Sequence, residues 1–286
     1  MRIAVVGAGR MGSTHLRALA STSLEVAAVV EPVAALREGL STRTHADVDE
    51  LLDAGGFDAA LVAAPTDLHA GLVERFAAAG IPVLCEKPCG LTSTEAQRAA
   101  RAAAEAGVVL QIGYWRRFVP ELVALRERLA AGALGDLLTV GCWQWDGEPP
   151  SPAFRARSGG ILVDMGVHEL DQIRWLSGAD IVELTTAPSA LDPDSLQALA
   201  LLSTGATATV SLGRRFPHGD CCWVEVMGTA GHARWEFMWG PPGEQVFLAA
   251  LAAQAEAFAE AVRGAPQRGA SGEDAVRALA AVELAA

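Results

Sequence analysis

Residues 2–6 (Arg-Ile-Ala-Val-Val) form an almost wholly apolar run, the pattern of a short strand buried on both faces of a parallel sheet. A glycine-rich turn and a helical stretch over 11–20 follow. Apolar runs at 25–30, 59–63, 83–85 and 108–112 then alternate with helical periodicity at 33–40, 69–79 and 93–106. Strands alternating with helices at this spacing predict a doubly wound α/β domain. Beyond residue 118 the period changes. A helix over 120–131 precedes strand-like runs at 137–145, 181–187, 196–202, 207–212, 223–227 and 234–238, with one helix over 163–176 among them. Short turns such as Ser203-Thr204-Gly205 predict a mostly antiparallel sheet. The chain therefore reads as two domains, 1–118 and 119–286, the second of α+β type. Ala-rich stretches over 247–263 and 271–285 read as helices rather than low-complexity linkers.

Composition narrows the function classes. With 286 residues, 51% of them apolar, the chain has material for packed cores, which excludes disorder as the main reading. Its 22 basic against 34 acidic residues leave a net charge of −12. An acidic chain without a basic stripe is a poor partner for nucleic acid or anionic membranes. No apolar run approaches membrane-spanning length, and the start, Met-Arg leading directly into a strand, predicts no targeting segment. The cysteines Cys85, Cys89, Cys142, Cys221 and Cys222 are odd in number and lack zinc-type spacing, so they read as reduced thiols of a cytoplasmic protein, with no metal expected. Of the 22 basic residues 21 are arginine; Lys87 is the single lysine, Tyr114 the single tyrosine, asparagine is absent and alanine reaches 56. A GC-rich coding bias accounts for this. Arginine replaces a surface lysine at little cost but cannot replace an amine whose pKa must be tunable, which singles out Lys87.

Gly7-Ala8-Gly9-Arg10-Met11-Gly12 matches G-x-G-x-x-G directly after the first strand and at the start of the first helix. The first glycine permits the tight turn, the second admits a pyrophosphate to the backbone, and the third lets helix pack on strand. Glu31 ends the second strand 19 residues after Gly12, where a carboxylate accepts hydrogen bonds from adenosine ribose hydroxyls and repels a 2′-phosphate. NAD is favoured over NADP on this ground, although Arg10 and Arg37 leave NADP open.

Lys87 lies in Glu86-Lys87-Pro88, after a strand of the same sheet, at the edge where open α/β sheets bind ligands. A second cluster follows Gly159-Gly160. A helix there places Asp164 and His168 four residues apart on one face, with Val167, Leu170, Ile173 and Leu176 free to face a core. A carboxylate beside an imidazole orients it and supports its protonated form, which suits a base taking a hydroxyl proton. The same two residues also read as a helix cap and a satisfied core histidine.

With these motifs, Ala64-Pro65-Thr66-Asp67-Leu68-His69, Gly113-Tyr114-Trp115-Arg116-Arg117-Phe118, and Asp171 after His168, the chain resembles the Gfo/Idh/MocA oxidoreductases, in particular inositol and sugar dehydrogenases. The resemblance implies an N-terminal Rossmann domain followed by a domain with a large open sheet whose exposed face makes homodimers or homotetramers. It implies catalytic roles for Lys87, Asp164 and His168, and places Pro65, Thr66, His69 and Glu86 beside the nicotinamide half of the cofactor. His69 reads equally as a helix-start residue. Inositol dehydrogenases usually carry Phe-Met-Arg-Arg-Phe where this chain has Tyr114-Trp115-Arg116-Arg117-Phe118. Arg116 fits a polyol contact, and Trp115 sits at the departure. In the next strand Cys142, Gln144 and Asp146 share one face and Trp143 and Trp145 the other. Gln144 and Asp146 suit hydroxyl recognition, while the tryptophans read as stacking surfaces or sheet packing. Convergence of Arg155, Arg157, Arg215 and His218 on the pocket would instead favour an anionic substrate. The expected activity is NAD-dependent oxidation of a secondary hydroxyl of a cyclitol or sugar, or the reverse. The alternatives are an NAD-retaining glycosidase working by transient oxidation and elimination, and a non-catalytic cofactor-sensing regulator.

Overall fold

The structure, a computed structural model, describes residues 1–285. It contains two compact units: residues 1–90, 94–115 and 247–276 form the first, and residues 91–93, 116–246 and those from Arg277 onward form the second.

Six strands of the first unit, β1 (Arg2–Val6), β2 (Glu25–Val30), β3 (Thr44–His45), β4 (Ala59–Val62), β5 (Val83–Cys85) and β6 (Leu110–Ile112), pair in the order β6-β5-β4-β1-β2-β3. Each of these pairs is parallel. The apolar runs become strands because both faces are covered: Ile3, Ala4, Val5 and all of Ala59 to Val62 are buried. Among the elements outside the sequence expectation are β3 and the helix Val48–Ala54. The helix starts at Asp47, whose carboxylate accepts from the Glu50 amide at 2.9 Å. The helix expected over 33–40 is a single turn, Ala34–Arg37.

The second unit contains β7 (Leu137–Trp145), β8 (Ile181–Pro188), β9 (Leu196–Leu202), β10 (Thr207–Gly213), β11 (Cys221–Gly228) and β12 (Gly231–Met238), in the order β12-β11-β7-β10-β9-β8. Its pairs are antiparallel except β7 with β10, which run parallel. The helices Pro120–Ala130 and Val167–Ser177 lie on one face and bury Val140, Cys142, Val210, Val224 and Val226. Val167, Leu170, Ile173 and Leu176 face this core as expected. On the other face Trp143 stacks on Trp223 at 5.4 Å, while Leu199 and Met227 are exposed.

The chain then returns to the first unit. The helix Pro241–Val262 buries Ala255, Phe258 and Ala259 among Ile3, Leu19, Leu24 and Leu61, and β13 (Ala270–Ser271) pairs antiparallel with β6. A domain running unbroken over 119–286 is therefore not what forms, because this helix carries an apolar face that completes the first unit's core. At 22 residues the helix is also long and apolar enough, by length and composition, to cross a membrane, which corrects the expectation that no apolar run approaches that length. Its buried side chains are spent on the core just described.

Candidate functional site

In the first unit the three glycines of the turn do different work. Gly7 has φ +100°, and a Cβ on it would lie 2.6 Å from the Ala63 carbonyl oxygen. A Cβ on Gly12 would lie 1.9 Å from the Gly7 carbonyl oxygen, so helix and turn touch there. Above Gly9 there is nothing within 4 Å. Gly9 is also the N-cap of the helix Arg10–Leu19 and supplies no side chain to its first-turn N–H groups. An open cradle of backbone donors at the positive end of a helix fits the pyrophosphate of a dinucleotide. Arg10 is exposed and Met11 half-buried at its rim.

Glu31 is buried at the end of β2, where its carboxylate accepts from the Ala8 amide and the Val33 amide, both at 2.9 Å. It therefore ties the glycine turn to the second strand, with remaining lone pairs for a ribose. Arg37 donates through Nη1 to the carbonyls of Glu31 and Pro32, which ties it to the end of β2.

Pro65 and Thr66 follow β4 and lead through the 3-10 turn Thr66–Leu68 into the helix His69–Ala78. His69 is buried with Nδ1 2.7 Å from the Pro88 carbonyl and Nε2 2.7 Å from the Ala64 carbonyl. Burial pushes its pKa down, against the two carbonyls and Glu86. With both nitrogens on backbone carbonyls, His69 braces the loops after β4 and β5 instead of presenting a ring nitrogen to a cofactor.

Lys87 follows β5, and its backbone amide donates to Glu86 Oε2 at 3.2 Å. Glu86 Oε1 in turn lies 2.6 Å from Nε2 of His15, on the helix that begins at the glycine turn. Burial pushes the Glu86 carboxyl up, but the hydrogen bond and charge of His15, with Lys87 and His69 adding, hold it below its ordinary value. His15 was not among the expected residues, although its place three residues after Gly12 was readable. Trp115 is buried edge-on against Phe247 at 4.9 Å.

In the second unit Arg116 and Gln144, both expected at the substrate, meet each other. Arg116 is buried, and its Nη2 donates to Gln144 Oε1 at 2.9 Å. Its Nη1 donates to Glu169 Oε1 at 2.6 Å and to Gln172 Oε1 at 3.3 Å. Burial works against the guanidinium, but neighbouring Cys222 and Glu169 hold its pKa above the ordinary value. Burial lifts the Glu169 carboxyl, with Arg116 opposing. Arg116 thus fixes the Gln144 amide from a buried position. Arg117 grips Asp171 through two bonds, at 2.5 and 3.0 Å. Glu169, beside His168, is a second residue that sequence reasoning missed.

Asp164 lies on a π-helical turn, Leu162–Gly166, and His168 on the first turn of the helix Val167–Ser177. The helix expected to start near Asp164 begins one turn wider, a distortion often found at functional sites. His168 is buried, and the Asp164 carboxylate receives Nη2 of Arg214, a third unforeseen residue, immediately after β10. Asp146 closes the end of β7, its amide donating to the Gly213 carbonyl at 2.9 Å. Of the other basic residues, Arg155 is ion-paired with Asp194, and Arg215 lies 3.3 Å from Asp192. His218 packs edge-on against Phe216.

The strand order of the first unit and its glycine turn, sealed by Glu31 and leading to His15, define a dinucleotide-binding oxidoreductase fold. Comparison with known proteins agrees. The model described as "Oxidoreductase family, NAD-binding Rossmann fold" matches residues 1–114, and that described as "GFO/IDH/MocA C-terminal domain" matches 122–234. The chain belongs to the Gfo/Idh/MocA family of NAD-dependent oxidoreductases acting on CH–OH groups. It is 50% identical to the rhizopine catabolism protein MocA of Rhizobium meliloti, over 99% of this chain and 93% of that one. It is 33% identical to the myo-inositol dehydrogenase Hyg17 of Streptomyces leeuwenhoekii, over 100% and 97%. The crystal structure of GenD2 from gentamicin A biosynthesis, in complex with NAD, superposes with a TM-score of 0.90 at 27% identity, over 100% and 93%.

Proposed function

We propose that the protein oxidises a secondary hydroxyl of a cyclitol or sugar to a ketone, or runs the reverse reduction, with Lys87, Asp164 and His168 as its catalytic residues. The observation that carries this reading is the clamp on Lys87. The chain's single lysine sits at the ligand edge of the parallel sheet, its amide bonded to a carboxylate that His15 locks from the helix of the glycine turn. Nicotinamide, when bound, supplies the hydride acceptor.

In this mechanism an imidazole nitrogen of His168 takes the hydroxyl proton. The Lys87 Nζ donates a hydrogen bond to the same oxygen and stabilises its developing negative charge. Asp164 offers only acceptors, to His168 or to a neighbouring hydroxyl. Gln144, fixed by Arg116, and Asp146 are the polar groups of β7 proposed to read further hydroxyls. Pro65, Thr66 and Glu86 shape the nicotinamide side.

Charge pairing supports an uncharged substrate. Arg155, Arg214 and Arg215 each face an aspartate, so these three cations are already matched. Identity with a protein named for rhizopine catabolism adds rhizopine to the inositols and aldoses worth testing. The exposed sheet face around Trp143, Trp223, Leu199 and Met227 is the proposed surface for a homodimer or homotetramer. Five free, buried cysteines support a reducing, cytoplasmic location.

The test is NADH formation across inositols, rhizopine, aldoses and sugar acids, with NAD and NADP in parallel. Turnover of a neutral polyol with NAD is expected. Turnover confined to sugar acids, or to NADP, contradicts the reading.

A further inference from the structure

Arg214 reaches the turn that carries Asp164 through contacts that do more than pack. Its residue follows the last position of β10, Gly213, where a Cβ would lie 2.2 Å from the Trp145 ring and where the carbonyl accepts from the Asp146 amide at 2.9 Å. The backbone that launches the side chain is therefore fixed. The guanidinium reaches the π-helical turn at two consecutive residues: Nη2 donates to Asp164 Oδ2, and Nε lies 3.2 Å from the Met165 sulfur. The side chain of Arg214 is 3% exposed and that of Asp164 13%, so the cation is the inner member of the pair and the carboxylate the outer one. A planar fork suits this two-point hold; a lysine ammonium would reach only one of the two neighbours.

We infer that Arg214 is a positioning and specificity residue: it fixes the Asp164 carboxylate as a hydrogen-bond acceptor and cancels its charge, so that this part of the site takes a neutral hydroxyl and refuses an anion. The inference rests on the assignment of Asp164 to the reacting cluster. It adds that the pair acts as one neutral unit, and that removing the carboxylate uncovers a buried cation. A guanidinium left without its partner recruits another anion, and a sugar carboxylate presents the matching bidentate geometry.

Three variants of the full chain, Arg214→Gln, Arg214→Lys and Asp164→Asn, test this with the best neutral polyol of the substrate panel. Arg214→Gln is expected to lower kcat about 100-fold, the scale of a misplaced catalytic group, with the Kd for NAD changed less than about twofold. Millimolar guanidinium is expected to restore part of that kcat in Arg214→Gln and none in Asp164→Asn. Arg214→Lys is expected to fall between wild type and Arg214→Gln. Asp164→Asn is expected to bind D-glucuronate, measured by calorimetry, at least about tenfold more tightly than wild type.

If Arg214→Gln and Arg214→Lys turn over like wild type while Asp164→Asn is inactive, the role given to Arg214 is wrong and the assignment of Asp164 stands. If Asp164→Asn itself turns over like wild type, the assignment of Asp164 falls. Loss of NAD affinity and melting temperature in step with kcat, without guanidinium rescue, reduces Arg214 to a structural residue and overturns the inference. Should Arg214→Gln fail to fold, Arg214→Lys and the glucuronate titration of Asp164→Asn decide alone: wild-type kcat in the first or no added affinity in the second overturns it.

Discussion

Lys87, the single lysine of the chain, has its backbone amide on the Glu86 carboxylate, which His15 holds from the helix of the glycine turn. Its scarcity and its Glu-Lys-Pro setting were legible because they are local. The groups that hold its backbone were not, because His15 lies 71 positions from Glu86. The same holds for Glu169, 53 positions from Arg116, and for Arg214, 50 positions from Asp164. Polar partners across such separations leave no periodic trace. Two titrations follow from the environments described. Glu86 is held below its ordinary 4.5, so its contribution to stability is complete above that value and is lost as pH falls through the lower folded value. His69 is pushed below 6.5 by burial, so protonation favours the unfolded chain and stability again falls with acid, below the ordinary value. Melting temperature measured from pH 8 down to about 3 is therefore expected to decline, with the decline flattened in His69→Gln below the ordinary histidine value and in Glu86→Gln at the acid end, below the ordinary carboxylate value. A decline unchanged in both variants contradicts these assignments.

At the scale of elements, the parallel strands were readable as continuous apolar runs and the sheet of the second unit as alternating ones. Two-residue strands such as β3 and β13 carry too few positions for any period. The parallel pairing of β7 with β10 was also hidden, since it depends on which strands end up adjacent rather than on their residues. The π-helical turn at Asp164 falls in the same class, being one residue wider than the pattern a helix predicts. The glycine turn gives a sharp contrast between neighbours. Gly9→Ala meets open space and is expected to melt like wild type while weakening NAD at least about tenfold, because its methyl group occupies the pyrophosphate approach. Gly12→Ala meets the Gly7 carbonyl and is expected to lower both stability and NAD binding. Differential scanning fluorimetry with NAD titration separates the two, and equal melting temperatures would contradict the geometry. In the helix Pro241–Val262, Phe258→Ala removes a fully buried ring from the first unit's core and is expected to cost about 3–5 kcal/mol, read by urea denaturation.

For the molecule as a whole, sequence pattern separated a dinucleotide-binding part from a mostly antiparallel part and located the change of pattern near residue 118. It missed that 247–276 belong with the first unit, because an Ala-rich helix does not announce which core its apolar face completes. The exposed face of the second sheet makes oligomerisation testable: Leu199→Glu is expected to shift the mass seen by light scattering toward the 29.7 kDa monomer with the fold unchanged. A wild-type protein that is already monomeric contradicts that surface. The central claim is that an NAD-linked oxidation depends on the amine of Lys87 and not merely on its charge. Its most direct test is the rate of NADH formation from the best neutral polyol by wild type and by Lys87→Arg, with NAD affinity measured alongside. The expected result is a loss of about 100-fold or more in kcat with NAD affinity within a few-fold of wild type. Near-wild-type turnover by Lys87→Arg would contradict it.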